Sequence, residues 1–397
     1  MNKRVLFITN RNILTTCGEL RLIKNRAETL FSVYNVRSDF LTLANPSRIN
    51  AVQKERINAG GSIKAIPQNI NNPISILKAW IEIKREIKKR ILSEKYRTII
   101  LSGSGMPLLS KYIKKINKKI RIYADIHGAS EDIEELVKNA SKIKRIINKS
   151  IFMLDKKGIQ KSTNYLDGYF VVTDSLKDYL KTNYNIKTKA AFYVAPCATV
   201  IQDDKYFENY YKYRREYRKK FSLKENETAF IYSGGISSWQ CIEETISVFN
   251  EIKKKMANAK LLIFSHNQNE IIKMIGTKTD IIFDSFKPEE LTKALCAGDY
   301  AFLLRRDCVT NNVAFPNKYL EYVQSKMKII TTPYVYEIAR QVKKWNLGIT
   351  IDIDNPNVFN MMEYLTNSEL NTDKIVREVL NYNSFSKTLK SFVGENY

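Results

Sequence analysis

Cations, amides and a helix-starting proline crowd into one short stretch: Leu303-Leu304-Arg305-Arg306-Asp307, then Asn311-Asn312, then Phe315-Pro316-Asn317-Lys318-Tyr319-Leu320-Glu321-Tyr322. The apolar residues ahead of Arg305 predict a buried strand that empties into a polar loop. Pro316 then opens a helix carrying a lysine and a glutamate three residues apart. Ligands of open α/β sheets bind beyond the carboxyl ends of strands, and a helix N-terminus favours anionic groups such as phosphate. Arg305, Arg306 and Lys318 beside such a helix start predict a diphosphate site. Glu321, one turn in, is placed to accept from a sugar or ribose hydroxyl.

Other polar residues sort by their surroundings. His127, in Asp125-Ile126-His127-Gly128, lies at a strand end and can bond a backbone carbonyl or donate to a ligand. Asp125 reads as a strand-end cap or as the partner of His127. His266, in Ser265-His266-Asn267, has no evident partner and reads as structural. Asp352-Ile353-Asp354 precedes Asn355-Pro356 and reads as turn chemistry, not as a metal site. Gly103 and Gly105 suit a turn or a close backbone approach. Glu131 and Asp132 are expected to cap the next helix, where acidic residues suit the dipole. Cys17, Cys197, Cys241, Cys296 and Cys308 are odd in number and form no C-x-x-C pair, which predicts reduced thiols in a cytoplasm and no zinc site.

These groups must be held by a chain of 397 residues, long enough for two cores. Its apolar start, Val5 to Ile8, is too short for a leader, breaks at Asn10-Arg11-Asn12, and reads as a first core strand. No window approaches the ~20 apolar residues of a spanning helix. The formal charge of +24 draws polyanions, whether nucleotide substrates, nucleic acid or an anionic membrane face. Part of it sits on a helix predicted over 76–92, where Ile76, Trp80, Ile83, Ile87 and Ile91 form an apolar face and Lys84, Arg85, Lys88 and Lys89 a solvated one. The same basic face could dock on anionic lipid.

Strand and helix signals alternate nearly throughout, which predicts parallel sheets covered on both faces. Strands are expected at 4–9, 39–43, 62–66, 98–101, 120–126 and 168–172, with Asp174 or Ser175 capping the helix that follows. The pattern resets after Pro196. Residues 201–220 interleave Tyr210, Tyr211, Tyr213 and Tyr217 with Arg214, Arg215, Arg218 and Lys219. They read as a surface helix leading into the next domain, and no specific nucleic-acid partner is expected. Further strands are expected at 229–233, 260–264, 280–283, 300–304, 328–331 and 348–351, and a helical tail over 374–392. The expected organisation is an α/β N-terminal Rossmann-like domain over 1–195, a second over 196–375, and a C-terminal helix, 376–397, packing back on the first.

Four segments resemble motifs of the GT-B, family 4-like retaining glycosyltransferases, in the version found among bacterial polysaccharide-building members. They are Cys17-Gly18-Glu19-Leu20-Arg21, Asp125-Ile126-His127-Gly128, Tyr232-Ser233-Gly234-Gly235-Ile236-Ser237-Ser238-Trp239-Gln240, and the Arg305 to Tyr322 stretch with its R-x-D…N…P-x-K-x-x-E-Y spacing. The resemblance implies two Rossmann-like domains facing a central cleft, a nucleotide-sugar donor, no cofactor and no metal. It implies a lipid-linked or surface-polysaccharide acceptor at the cytoplasmic membrane face. By residue, it implies catalytic roles for His127, Arg305 and Lys318, and donor contacts from Gly18, Gly234, Gly235, Arg306, Asn311, Asn312, Pro316 and Glu321. Three positions depart from the pattern. Gly235 and Gln240 stand where many members carry an arginine and a lysine, and Val313 stands where many carry a glutamate. Arg305, Arg306 and Lys318 are therefore expected to carry the phosphate charge, with Asn311 or Asn312 reaching sugar hydroxyls. The alternatives are another nucleotide-sugar enzyme on this architecture, such as an epimerase, and a non-catalytic basic protein that binds membrane or nucleic acid and keeps a decayed donor site.

Overall fold

A computed structural model describes residues 3–14, 18–55, 57–94, 96–131, 142–186, 189–196, 203–276 and 279–397. Cys17, Cys197 and Asp132, read above as thiols and a cap, lie outside the described residues. The chain forms two compact units, Met1–Ala198 with Ser384–Tyr397, and Thr199–Asn383.

The first unit is built on seven strands: β1 (Arg4–Thr9), β2 (Arg37–Ala44), β3 (Gly60–Pro67), β4 (Thr98–Ser102), β5 (Arg121–Ile126), β6 (Gly168–Val171) and β7 (Ala191–Val194). All pair in parallel, in the order β3-β2-β1-β4-β5-β6-β7. Val5, Leu6, Phe7 and Ile8 are all fully buried, as a strand covered on both faces requires. The chain runs from β1 out to β3 and then returns to the far side of β1 with β4. Sheet order therefore reverses between β1 and β4, the place where open α/β sheets bind ligands. The strand β7 was not expected from the sequence; four residues ahead of a proline give too little pattern to read.

The second unit holds six parallel strands: β8 (Thr228–Ser233), β9 (Ala259–Phe264), β10 (Ile281–Asp284), β11 (Tyr300–Leu303), β12 (Lys328–Thr331) and β13 (Gly348–Thr350). Their order is β10-β9-β8-β11-β12-β13. Here the reversal lies between β8 and β11, so the Gly234-Gly235 loop and the Arg305 loop leave the sheet side by side.

Three expectations are corrected. The basic helix runs Pro73–Glu94, and its buried face is Ala79, Ile83, Ile87 and Ile91; Ile76 and Trp80 are only half-buried. The cap of the Asp174–Tyr184 helix is Thr173, whose hydroxyl accepts from Leu176 N at 3.0 Å. The tail is two helices, Asp373–Tyr382 and Ser386–Asn396, broken at Asn383; the second packs Leu389, Phe392 and Val393 into the core of the first unit.

The tyrosine–arginine run forms the Tyr210–Lys220 helix, with Tyr210 and Tyr217 buried. Arg214 and Arg218 close on Asp299, and they donate to the carbonyls of Cys296, Gly298 and Ala297. These guanidiniums hold the second unit together.

Candidate functional site

Two side chains of the second unit converge from adjacent strand ends. Arg305 leaves β11 and turns inward, 5% exposed. Its backbone is clamped by Thr332, whose hydroxyl accepts from Arg305 N at 3.1 Å and donates to Arg305 O at 2.7 Å. Its guanidinium donates to the carbonyls of Leu304 at 2.8 Å and Gln240 at 3.3 Å. Lys318 sits in the first turn of the Asn317–Gln324 helix, which Pro316 caps. Its ammonium donates to Gln240 Oε1 at 2.8 Å and stands 4.5 Å from the centre of the Tyr232 ring. Tyr232 Oη donates to the Gly235 carbonyl, and Tyr322 Oη accepts from Ser233 N at 3.0 Å.

Neither cation has a carboxylate partner within ion-pair distance among the described residues. Desolvation holds the Lys318 ammonium well below its ordinary pKa of 10.5, and the neighbouring Arg305 charge lowers it further. Burial also lowers the Arg305 value. The first turn of the Lys318 helix contains no acidic residue, so a lysine stands at the positive end of a helix dipole. Desolvation, the Arg305 charge and the helix dipole oppose positive charge there, and Glu321 and the Tyr232 ring offset them only in part until an anion arrives. Such an anion could take two charge-assisted hydrogen bonds of the strong kind.

Gly234 makes room for this. Its φ is +135°, and a Cβ built on it would lie 2.3 Å from Lys318 Nζ and 2.5 Å from Lys318 Cε. Gly234→Ala is expected to displace Lys318 from Gln240 and weaken nucleoside-diphosphate affinity at least tenfold, read by calorimetry. Wild-type affinity in that variant would mean that the lysine position does not matter.

The remaining residues expected here divide. Arg306 points outward, half-exposed, and pairs with Glu244 and Asp354, each at 2.9 Å. It does not join Arg305 and Lys318. Asn311 is buried and donates to Arg306 O at 2.8 Å; Asn312 donates to Asp307 Oδ1 at 3.0 Å. Both amides brace the loop in this state. Gly235 lies against Gln240, with a built Cβ 3.3 Å from Gln240 Nε2. Glu321 is half-buried and close enough to raise the Lys318 pKa slightly. Val313 is buried at the end of a short helix, Val309–Val313. Asp352 accepts from Asp354 N at 3.0 Å, as a turn does. Gln240, Tyr232, Thr332 and Tyr322 carry the site's geometry, and sequence reasoning gave them no role; only the adjacency of β8 and β11 reveals it.

The first unit has its own polar cavity, of about 280 Å³, lined among others by Arg11, Glu19, Ser104, His127, Ser130 and Asp155. It lies at the carboxyl ends of the strands flanking the β1–β4 reversal. Asp125, at the end of β5, is buried and ion-paired with the equally buried Arg26. Arg26 also donates to Ala195 O at 3.0 Å. His127 Nε2 is 2.9 Å from Asp125 Oδ1 but not aligned as a full hydrogen bond, and its Nδ1 is 3.7 Å from Glu19 Oε1. Asp155 accepts from Ser104 and Ser130 at 2.7 and 2.9 Å. The imidazole thus lies between two carboxylates at the cavity wall. Gly18 opens the helix Gly18–Tyr34, exposed, with Glu19 in its first turn. Glu131 accepts from Tyr179 Oη, and His266 Nδ1 is 2.7 Å from Ser285 Oγ. Arg26 was missed, although a signal exists: it shares the apolar face of its helix with Leu22, Ile23, Ala27 and Leu30.

No protein-family model matches the chain, and no curated protein does. Solved structures match over its whole length. A glycosyltransferase from Rickettsia africae ESF-5 gives a TM-score of 0.65 at 14% identity, covering 100% of this chain and 98% of that one. An alpha,alpha-trehalose-phosphate synthase (UDP-forming) from Burkholderia vietnamiensis gives 0.67 at 9%, covering 100% and 97%. A trehalose-6-phosphate protein of E. coli bound with UDP-2-fluoro glucose gives 0.64 at 11%, covering 99% and 98%. The chain has the fold of these GT-B proteins, mixed α/β with two parallel-sheet Rossmann-like domains.

Proposed function

We propose that this chain is a glycosyltransferase that moves a sugar from a nucleotide-sugar donor to a lipid-linked or surface-polysaccharide acceptor at the cytoplasmic membrane face. One observation carries the reading: Arg305 and Lys318, both desolvated and without carboxylate partners among the described residues, converge on Gln240 at the strand reversal of the second unit. The solved structures of like fold include a glycosyltransferase and a protein holding a UDP-sugar analogue.

In the transfer, the bond between the anomeric carbon and the diphosphate oxygen breaks, and negative charge grows on the leaving oxygen. Fixed cations stabilise that charge as it develops, because their orientation is set before reaction. Arg305 is locked by Thr332 and two carbonyls, and Lys318 by Gln240. They supply the positive charge a divalent ion would otherwise bring, so the reading needs neither metal nor cofactor. The sugar is transferred with retention, as in the family the motifs resemble. His127, at the wall of the first unit's cavity and 2.9 Å from Asp125, is assigned a catalytic role by the same resemblance.

A thermal-shift panel of nucleotide sugars tests the donor assignment. A donor at 100 times its dissociation constant adds about 2.7 kcal/mol of stability. Release of nucleoside diphosphate that depends on added membrane-lipid extract identifies a transferase. A donor-induced shift with no release would mark a binding protein instead, and no shift with any donor would overturn the reading.

A further inference from the structure

The Pro73–Glu94 helix turns an apolar stripe to solvent. Ile74 is 66% exposed, Leu77 63%, Ile81 54% and Leu92 68%, and Ile70 just before the helix is 76% exposed. At 3.6 residues per turn, Ile74, Leu77, Ile81, Arg85, Lys88 and Leu92 follow one another along a single outward face. That face is apolar over its first turns and cationic over the next, with Lys78 and Lys89 flanking it. The opposite face, Ala79, Ile83, Ile87 and Ile91, is spent on the core of the first unit. The outward residues therefore contribute nothing to folding that would explain their apolarity.

A groove of about 410 Å³ runs beside this stripe, between the helix and the edge strand β3. Lys64, Lys78 and Arg85 line it together with Ile66, Pro67 and Ile81, and one acidic residue, Glu82, which pairs with Arg85 at 3.1 Å on the exposed surface, where such a pair is weak. The cationic surface continues onto the neighbouring Leu109–Ile116 helix, where Tyr112 Oη donates to Lys84 O at 3.1 Å. That helix exposes Lys111 and Lys115, while Lys114 is spent on Asp167 at 2.8 Å.

We propose that the outward face of the Pro73–Glu94 helix, with the groove beside β3, is a docking surface for an anionic lipid bilayer. Ile74, Leu77 and Ile81 enter the boundary between headgroups and acyl chains, while Lys78, Arg85 and Lys88 meet lipid phosphates. An apolar face bordered by lysine and arginine is the composition of helices that lie in a membrane interface. The alternative occupant, a second copy of this chain, would set these cations against their own duplicates in a protein of net charge +24. Charge complementarity thus selects the membrane. The inference extends the membrane-facing part of the proposed function but stands on this surface alone, and donor binding by the second unit is indifferent to it.

The test is co-sedimentation of the full chain with vesicles of phosphatidylcholine alone and of phosphatidylcholine mixed with phosphatidylglycerol. Binding is expected to the mixed vesicles only, and to fall as salt is raised. Each basic residue near a charged surface is worth about a fivefold change in partitioning. The Lys78→Gln/Arg85→Gln/Lys88→Gln variant should therefore bind about a hundredfold more weakly. Ile74→Ser/Leu77→Ser/Ile81→Ser should lose at least tenfold while keeping its circular dichroism and its donor-induced thermal shift. Equal binding to neutral vesicles, undiminished binding by either variant, or a dimer in solution that the serine variant dissociates would each overturn the proposal.

Discussion

Lys318→Met is expected to lower kcat/KM for sugar transfer by about a hundredfold to a thousandfold, with no loss of thermal stability. The first half follows from removing a fixed cation aimed at developing charge, a deletion that typically costs about 3–4 kcal/mol. The second half is less usual and is the sharper test. In the free protein Lys318 is desolvated, lies beside Arg305 and sits at a helix N-terminus, so its charge opposes folding. Methionine keeps an unbranched stem of similar reach and removes the charge, together with the ammonium's contact on the Tyr232 ring. A variant that loses stability together with activity would mean that Lys318 is structural. Unaltered diphosphate affinity would end the assignment altogether.

The same lysine predicts a pH dependence whose sign can be fixed. Its folded pKa is below 10.5, so between that lowered value and 10.5 the unfolded chain binds more protons than the folded one. Stability of the unliganded protein therefore rises with pH across that window. A bound diphosphate reverses this, because it favours the ammonium and draws a proton back. Calorimetry in buffers of different ionisation enthalpy should show proton uptake on diphosphate binding at alkaline pH, and Lys318→Met should abolish it.

How far the sequence carried these conclusions depended on what each residue needed for recognition. The α/β class and twelve strands were readable because buried parallel strands are short apolar runs between helical patterns; β7 lacked length. Arg305 and Lys318 were readable as cations near a helix start. Arg305 could not be told from Arg306, since adjacent residues leaving a strand point opposite ways and sequence does not say which way is in. The structure turns Arg305 inward and spends Arg306 on Glu244 and Asp354. Gln240 was noted only as a departure from a lysine pattern. It proves to be the group on which both buried cations meet, a role that exists only because β8 and β11 are neighbours. The Pro73–Glu94 helix illustrates the converse limit. Its periodicity was plain, but both its faces are apolar in part, so burial of one could not be read from spacing.

Breaking the Arg26–Asp125 pair should give the largest stability effect in the first unit. Both side chains are at most 1% exposed, and Arg26 joins the Gly18–Tyr34 helix to the end of β5 and to Ala195 O. Arg26 and His127 together hold the Asp125 carboxyl down to about 2, against a burial effect that would raise it. The drop from 3.8 makes ionised Asp125 worth about 2 kcal/mol, present above pH 3.8 and lost as pH falls from there through about 2. Asp125→Asn is expected to cost more, about 3–5 kcal/mol at neutral pH, because it strands a buried guanidinium. Hydrogen exchange at β4 and β5 amides would report it, since loss there localises the effect to the first unit. The double variant Arg26→Met/Asp125→Leu should recover much of the loss, as replacing both ions by apolar groups often does. A cost below about 1 kcal/mol for Asp125→Asn would show that the pair is dispensable. His127 would then need another anchor, since Asp125 is the group that sets its ring beside the cavity.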